Sequence, residues 1–170
     1  LVQFNVYRAL FTNMTILALP NIFSCEEPEP QVIVSPIPLP NATPASLVPT
    51  PLQLAVIHEP WIDLFPLPAL RDNILKAWGT FDTCELCDDV LGTMFDGELS
   101  KHDERNGVVV WGDPWDINSW ELMEGFLKKW GWMLVRCEAL LVATNRWRAM
   151  RGEELFCHNE VLTWSGRKVS

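Results

Sequence analysis

Twelve of the thirteen prolines fall between Pro20 and Pro68. A proline ring removes a backbone donor and clashes with the preceding helical turn, so this stretch cannot supply helix interiors or central strands. Most regular packing must therefore come from the residues after it. Within residues 20–56 the words CEEPEP, SPIPLP and VPTP favour extended or polyproline II backbone. A linker or surface strap is the expected role, because proline-rich spacers outnumber ligands of proline-recognising domains. His58 to Pro68, HEPWIDLFPLP, combines three prolines with Trp61, Ile62, Leu64 and Phe65. Side chains that apolar do not stay in water, so the segment is expected to be irregular yet pinned against a helix.

The second half of the chain reads differently. Gly107 to Glu154 holds six of the nine tryptophans and the longest helix-period pattern. It opens with a β-branched run, Val108 to Trp111, and a turn at Gly112-Asp113-Pro114. Asn118 with Glu121 three residues on has capping-box spacing, and Glu124 places negative charge where a helix dipole favours it. From Met123 through Phe126, Leu127, Trp130, Met133 and Leu134 to Trp147 the apolar positions recur at three and four residues. One helix of roughly thirty residues is expected, about 45 Å long, bent near Gly125 or Gly131.

Three shorter helices are expected around it. Residues 1–19 form an N-terminal helix ended by Pro20, lying on the main body or on a partner subunit. Ala69 to Trp78 forms a second, stopped by Gly79. Asp82 or Thr83 caps a third that runs through Phe95 and turns inward Leu86, Val90, Leu91 and Met94. A mobile loop is expected over 98–106. The fold class is mainly α: a compact helical domain built round one long C-terminal helix, with a proline-rich extended segment and an N-terminal helix. Its divisions are residues 1–19, 20–56, 57–154 and a tail, 155–170, that lacks periodicity and is expected to be disordered.

Charge and cysteine content narrow the functional classes. A formal net charge of −9 opposes nucleic-acid binding, since backbone phosphates need clustered Lys and Arg. Five cysteines, odd in number and unevenly spaced, do not make a secreted disulfide framework, so reduced thiols inside the cell are expected. Leu10 to Leu19 is interrupted by Thr12, Asn13 and Thr15 and lacks a cleavage pattern, so neither secretion nor membrane insertion is expected.

The candidate chemistry is thin. Asp113, Asp116, Glu121 and Glu124, ringed by Trp111, Trp115 and Trp120, contain the ingredients of a carbohydrate-hydrolysing cleft. Turn and cap duties account for the same carboxylates more simply. Cys84-Glu-Leu-Cys87 has the spacing of half a zinc site or a redox pair, but no second such pair completes four ligands. His58, His102 and His158 have no companion nucleophile motif, and no glycine-rich phosphate loop is present. No catalytic residue, metal or cofactor is therefore expected. Trp61, Trp78, Trp130 and Trp147 read as core anchors. An aromatic-lined apolar pocket or interaction surface is the remaining candidate, built from Trp61, Phe65, Arg71, Trp111, Asp113, Trp115 and Trp120, with Asp113 or Arg71 as polar handles.

Several unusual words in a fixed order, WGDPWD, SWELMEGFLKKWGW and NRWRAMRGEE, resemble a fungal domain of unknown function, the DUF3425 family, found C-terminal to the basic leucine zipper of bZIP-type transcription factors. The similarity extends back through LVPTPLQLAVIHEPWIDLFPLPALRDNIL to LVQFNVYRALFTN, and so covers most of residues 1–154. The resemblance implies a nuclear, non-enzymatic regulatory or interaction domain. It implies protein partners, a homodimer through a zipper upstream of Leu1, and DNA contact made elsewhere than in this chain. A small-molecule-sensing module is the alternative, and no membrane partner is expected.

Overall fold

A computed structural model describes residues 2–19, 39–91, 107–157, 159 and 161. Six α-helices and two short strands occur among them: α1 Val2–Ile16, α2 Pro51–Ala55, α3 Pro68–Lys76, α4 Thr83–Leu91, β1 Val108–Val110, β2 Trp120–Leu122, α5 Glu124–Trp130 and α6 Glu138–Met150. Mainly α is thus the correct class, with a small sheet at its centre.

The two strands pair antiparallel, with Val108 opposite Leu122, Val109 opposite Glu121 and Val110 opposite Trp120. All six residues are buried, because α1 covers β1 and α6 covers β2. The expected β-branched segment is this first strand. Its partner comes from residues expected to be helical, and here the long-helix expectation fails. Asn118 does not cap a helix: Asp116 Oδ1 accepts from the Asn118 amide at 2.9 Å and starts a single 3-10 turn, Ile117–Ser119. The chain then extends as β2, since β1 would otherwise leave a buried backbone edge unpaired.

Helix resumes at Glu124, tightens into a 3-10 turn over Gly131–Leu134, and reverses where Arg136 takes a left-handed φ of 61°. Cys137 then leads into α6. Of the two expected bend positions, Gly131 is the one used; Gly125 lies inside α5. A Cβ at Gly131 would sit 2.4 Å from the Val161 carbonyl oxygen, so backbone approaches there as only glycine permits. Apolar spacing of three and four is preserved across these breaks, which is why one face is still buried from Phe126 to Thr144.

α1 lies on the main body, burying Val6, Ala9, Leu10 and Met14. It ends at Ile16, and Ala18 adopts a left-handed φ of 51° before Pro20 is reached. Asn13, fully buried, ties the helix to two distant segments: its Nδ2 donates to the carbonyls of Leu64 at 2.8 Å and Pro114 at 3.0 Å. α3 and α4 occur where expected. Pro68 occupies the first turn of α3, Gly79 follows it with φ of 78°, and Asp82 Oδ1 caps α4 by accepting from the amides of Cys84 and Glu85. The expected continuation of α4 to Met94 and Phe95, the loop 98–106 and residues 20–38 lie outside the described residues.

Two segments carry more order than their sequence implied. Residues 45–55 form a 3-10 turn and α2, whose Thr50 and Gln53 make a reciprocal capping box. Beyond α6, Asn145 exchanges two hydrogen bonds with the Phe156 backbone, and the Arg148 guanidinium lies 4.0 Å from the Phe156 ring centre.

The tryptophans assemble a continuous run of rings. Trp120 meets Phe65, Phe65 meets Trp61, Trp61 meets Trp78, Trp78 meets Phe81, and Phe81 meets Trp130 and Trp132, with centroids 5.9–6.5 Å apart. Trp120 and Trp130 are buried anchors. Trp78 is not: it sits beyond the last turn of α3 and is 43% exposed.

Candidate functional site

The sequence-selected residues divide into distinct settings. Trp61, Phe65 and Trp120 belong to the ring run. Arg71 lies at the end of a buried polar network, while Trp111, Asp113 and Trp115 belong to the β1–β2 connection.

Arg71 is fully buried although it carries a guanidinium, because α3 places it on the same arc as Ile74 and Leu75. Its Nε donates to Gln53 Oε1 at 2.9 Å, Nη1 to the carbonyls of Ser46 at 2.7 Å and Phe65 at 2.6 Å, and Nη2 to the Val48 carbonyl at 2.7 Å. No carboxylate touches it. Burial lowers its pKa from the ordinary value, opposed by the nearby charges of Asp63 and Asp72. The handle expected to face a ligand instead pins the segment 46–53 to α3.

The network continues to the surface. Gln53 Nε2 donates to Asp63 Oδ1, and Thr50 Oγ1 donates to Asp72 Oδ1 at 2.6 Å. His58 Nε2 lies 3.0 Å from the same Asp63 oxygen, and its Nδ1 lies 2.9 Å from the Val56 carbonyl. Desolvation lowers the His58 pKa, but the Val56 carbonyl and the Asp63 carboxylate outweigh it and hold the imidazole above its ordinary value. Sequence reading passed over this His58–Asp63 pair; an acid five residues from a histidine within an otherwise apolar word was the available signal.

The acidic set is dispersed into structural contacts. Glu121, buried on β2, receives both terminal nitrogens of Arg151, with Nη1 at 3.0 Å, and the indole N–H of Trp111 at 2.8 Å. Glu124 pairs with Lys128 at 2.6 Å, Asp116 caps a turn, and Asp113 is exposed, with its carbonyl accepting from the Asp116 amide. Trp111 is 44% exposed and lies against Trp147 at 5.5 Å, while Trp115 offers its carbonyl to Ser46 Oγ at 2.6 Å. Trp147 is therefore a half-buried platform, its N–H donating to the Asn118 carbonyl at 2.9 Å.

An apolar crevice lies between α1, the Pro60–Leu64 turn and α4, lined by Leu10, Trp61, Phe65, Cys87 and Val90 among others, and it leaves about 30 Å³. Of the seven selected residues only Trp61 and Phe65 reach it. Burial pushes the Cys87 thiol up to about 11, and that of Cys137 up to about 12. Among the described residues no three His, Cys, Asp or Glu side chains gather to hold a metal, and no helix is long and apolar enough to cross a membrane.

The surface also carries a feature that sequence reading missed. Val48, Leu54, Val56 and Ile57 are exposed along the strap that Arg71 pins, with Leu54 at 78%. A periodicity argument could not find them, because α2 is too short to show a period.

These features define a mainly helical, tryptophan-rich domain whose carboxylates and buried arginine hold elements together. The family model described as "Domain of unknown function (DUF3425)" matches residues 33–142, more than half of the 170, and the chain belongs to that family. Neither the curated proteins nor the solved structures give a match to the chain.

Proposed function

We propose that the chain is a non-enzymatic regulatory and interaction domain of a fungal bZIP-type transcription regulator, acting in the nucleus through protein contact, with DNA bound by another segment. The family membership and the bZIP-associated words support this context, and the acidic net charge supports the assignment of DNA contact elsewhere. The observation that carries protein contact is the apolar strap. Val48, Leu54, Val56 and Ile57 stand in water on a segment that Arg71 holds at the Ser46 and Val48 carbonyls and the Gln53 side chain, and an apolar surface held in place loses little entropy on binding.

A reporter experiment tests the reading. The chain fused to an unrelated DNA-binding domain is expected to change transcription of the matching reporter. Leu54→Asp with Ile57→Asp should abolish that change at equal protein level. An unchanged reporter with the parent fusion, or an unaffected double variant, refutes the reading.

The crevice beside Trp61 and Phe65 favours a second reading, a sensor of small apolar molecules. Its volume is about that of one or two water molecules, so an effector must displace a wall. A thermal shift across a panel of apolar metabolites tests it, and no shift with any of them refutes it.

A further inference from the structure

The thiols of Cys84 and Cys87 take no part in the contacts described so far, apart from the place of Cys87 in the crevice wall. They lie three residues apart in the first turns of α4, a helix whose start is fixed by the Asp82 cap. On an α-helix of about 2.3 Å radius and 1.5 Å rise, Cα atoms three residues apart are about 5 Å from one another. That separation lies within the roughly 4.4–6.8 Å that a disulfide spans. The two thiols differ in setting. Cys84 is exposed, whereas Cys87 is half-buried and lines the crevice with Trp61 and Phe65.

We propose that Cys84 and Cys87 are a reversible redox pair, in which the exposed Cys84 is oxidised by a hydroperoxide and Cys87 resolves it to an intrahelical disulfide. In the first step the Cys84 thiolate sulfur attacks the terminal oxygen of the hydroperoxide. The O–O bond breaks, the departing oxygen takes a proton, and Cys84 becomes a sulfenic acid. In the second step Cys87 sulfur attacks Cys84 sulfur, the S–S bond forms, the S–O bond breaks, and the oxygen leaves as water with the proton from Cys87. Two electrons pass from the two thiols to the peroxide, and a dithiol reductant reverses the change.

The division of roles follows from the surroundings. Burial, with the neighbouring Cys84, Asp88 and Glu59, keeps the Cys87 thiol protonated and poor as a first attacker. Its advantage is proximity, because it meets the oxidised Cys84 within the same helical turn. Cys137, completely enclosed at the start of α6, has no such access, and Cys157 stands in a different segment. Closing the pair draws the Cys87 sulfur from the crevice wall, so the environment of Trp61 changes with oxidation.

The test uses the full chain treated with hydrogen peroxide, alkylated, digested and mapped by mass spectrometry. The expected product is a Cys84–Cys87 link within one peptide, two hydrogens lighter, restored by dithiothreitol, together with a reversible change in tryptophan fluorescence. In Cys87→Ser, shown folded by circular dichroism, dimedone should trap Cys84 as its sulfenic acid, and the fluorescence change should vanish. Cys84 left reduced by peroxide overturns the proposal. So does pairing of Cys84 with Cys25, Cys137 or Cys157, or a Cys84 sulfenic acid that accumulates equally in parent and variant.

Discussion

Replacing Arg71 by methionine isolates what the pinned strap contributes. The side chain keeps a comparable apolar stem but loses four donated hydrogen bonds, leaving the carbonyls of Ser46, Val48 and Phe65 without their donor, while the Gln53 side-chain oxygen keeps the Thr50 amide. A hydrogen bond from a charged donor contributes about 1.5–3 kcal/mol, and a buried acceptor left alone costs about 1–3 kcal/mol. A simple sum overshoots, for two reasons. The guanidinium no longer has to be desolvated, and Val48, itself half exposed, lets water reach its carbonyl once the strap loosens. A net loss of about 3–5 kcal/mol remains, roughly what two hydrogen bonds from a charged donor contribute. For a chain of this size each kcal/mol lowers Tm by about 2–4 °C, so a fall of roughly 6–20 °C is expected. Arg71→Lys keeps the charge without the planar fork and should fall between parent and methionine variant. Urea unfolding followed by circular dichroism measures the loss, and amide hydrogen exchange shows where it falls, with residues 46–57 releasing protection first. A loss under about 1 kcal/mol, with exchange in the strap unchanged, would show that Arg71 does not hold it.

Three further outcomes are expected. Because the folded-state pKa of His58 is raised, its contribution is full below the ordinary value of 6.5 and is lost as pH rises through the folded value; His58→Gln should flatten the rise in strap hydrogen exchange over that interval, and an unaltered pH profile counts against a stabilising role for the His58–Asp63 contact. Gly131→Ala drives a Cβ into the Val161 carbonyl at 2.4 Å, so denaturant unfolding should register a loss of about 1–3 kcal/mol, and a neutral substitution would mean that the approach is not rigid. Trp120→Ala should cost about 3–5 kcal/mol by the same measurement, and Trp78→Ala far less because Trp78 is 43% exposed; equal losses would contradict the burial order along the ring run.

Part of the site was readable beforehand. Thr50-Pro51-Leu52-Gln53 is a capping box with proline in the first turn, a local signal that was present although overshadowed by the surrounding prolines. Arg71 also announced its burial, since it lies three and four residues before Ile74 and Leu75 on the face that α3 turns inward. Its acceptors could not be read, because three of them are backbone carbonyls 6 to 25 residues away. Spacing along the chain carries no information about such partners.

By itself the sequence determined the helical class and the places of α1, α3 and α4, because each depends on proline position, local capping or short-range apolar spacing, and it marked the family through the resemblance of its tryptophan-rich words. Tertiary structure alone decided that Trp120–Leu122 would be a strand. A helix and a two-stranded ribbon can bury the same apolar residues, but only the ribbon also satisfies the buried backbone of Val108–Val110. It likewise decided that Glu121 would face Arg151 and that Trp78 would reach solvent. Those choices depend on which distant element arrives alongside, and packing settles that, whereas local propensity only narrows the options.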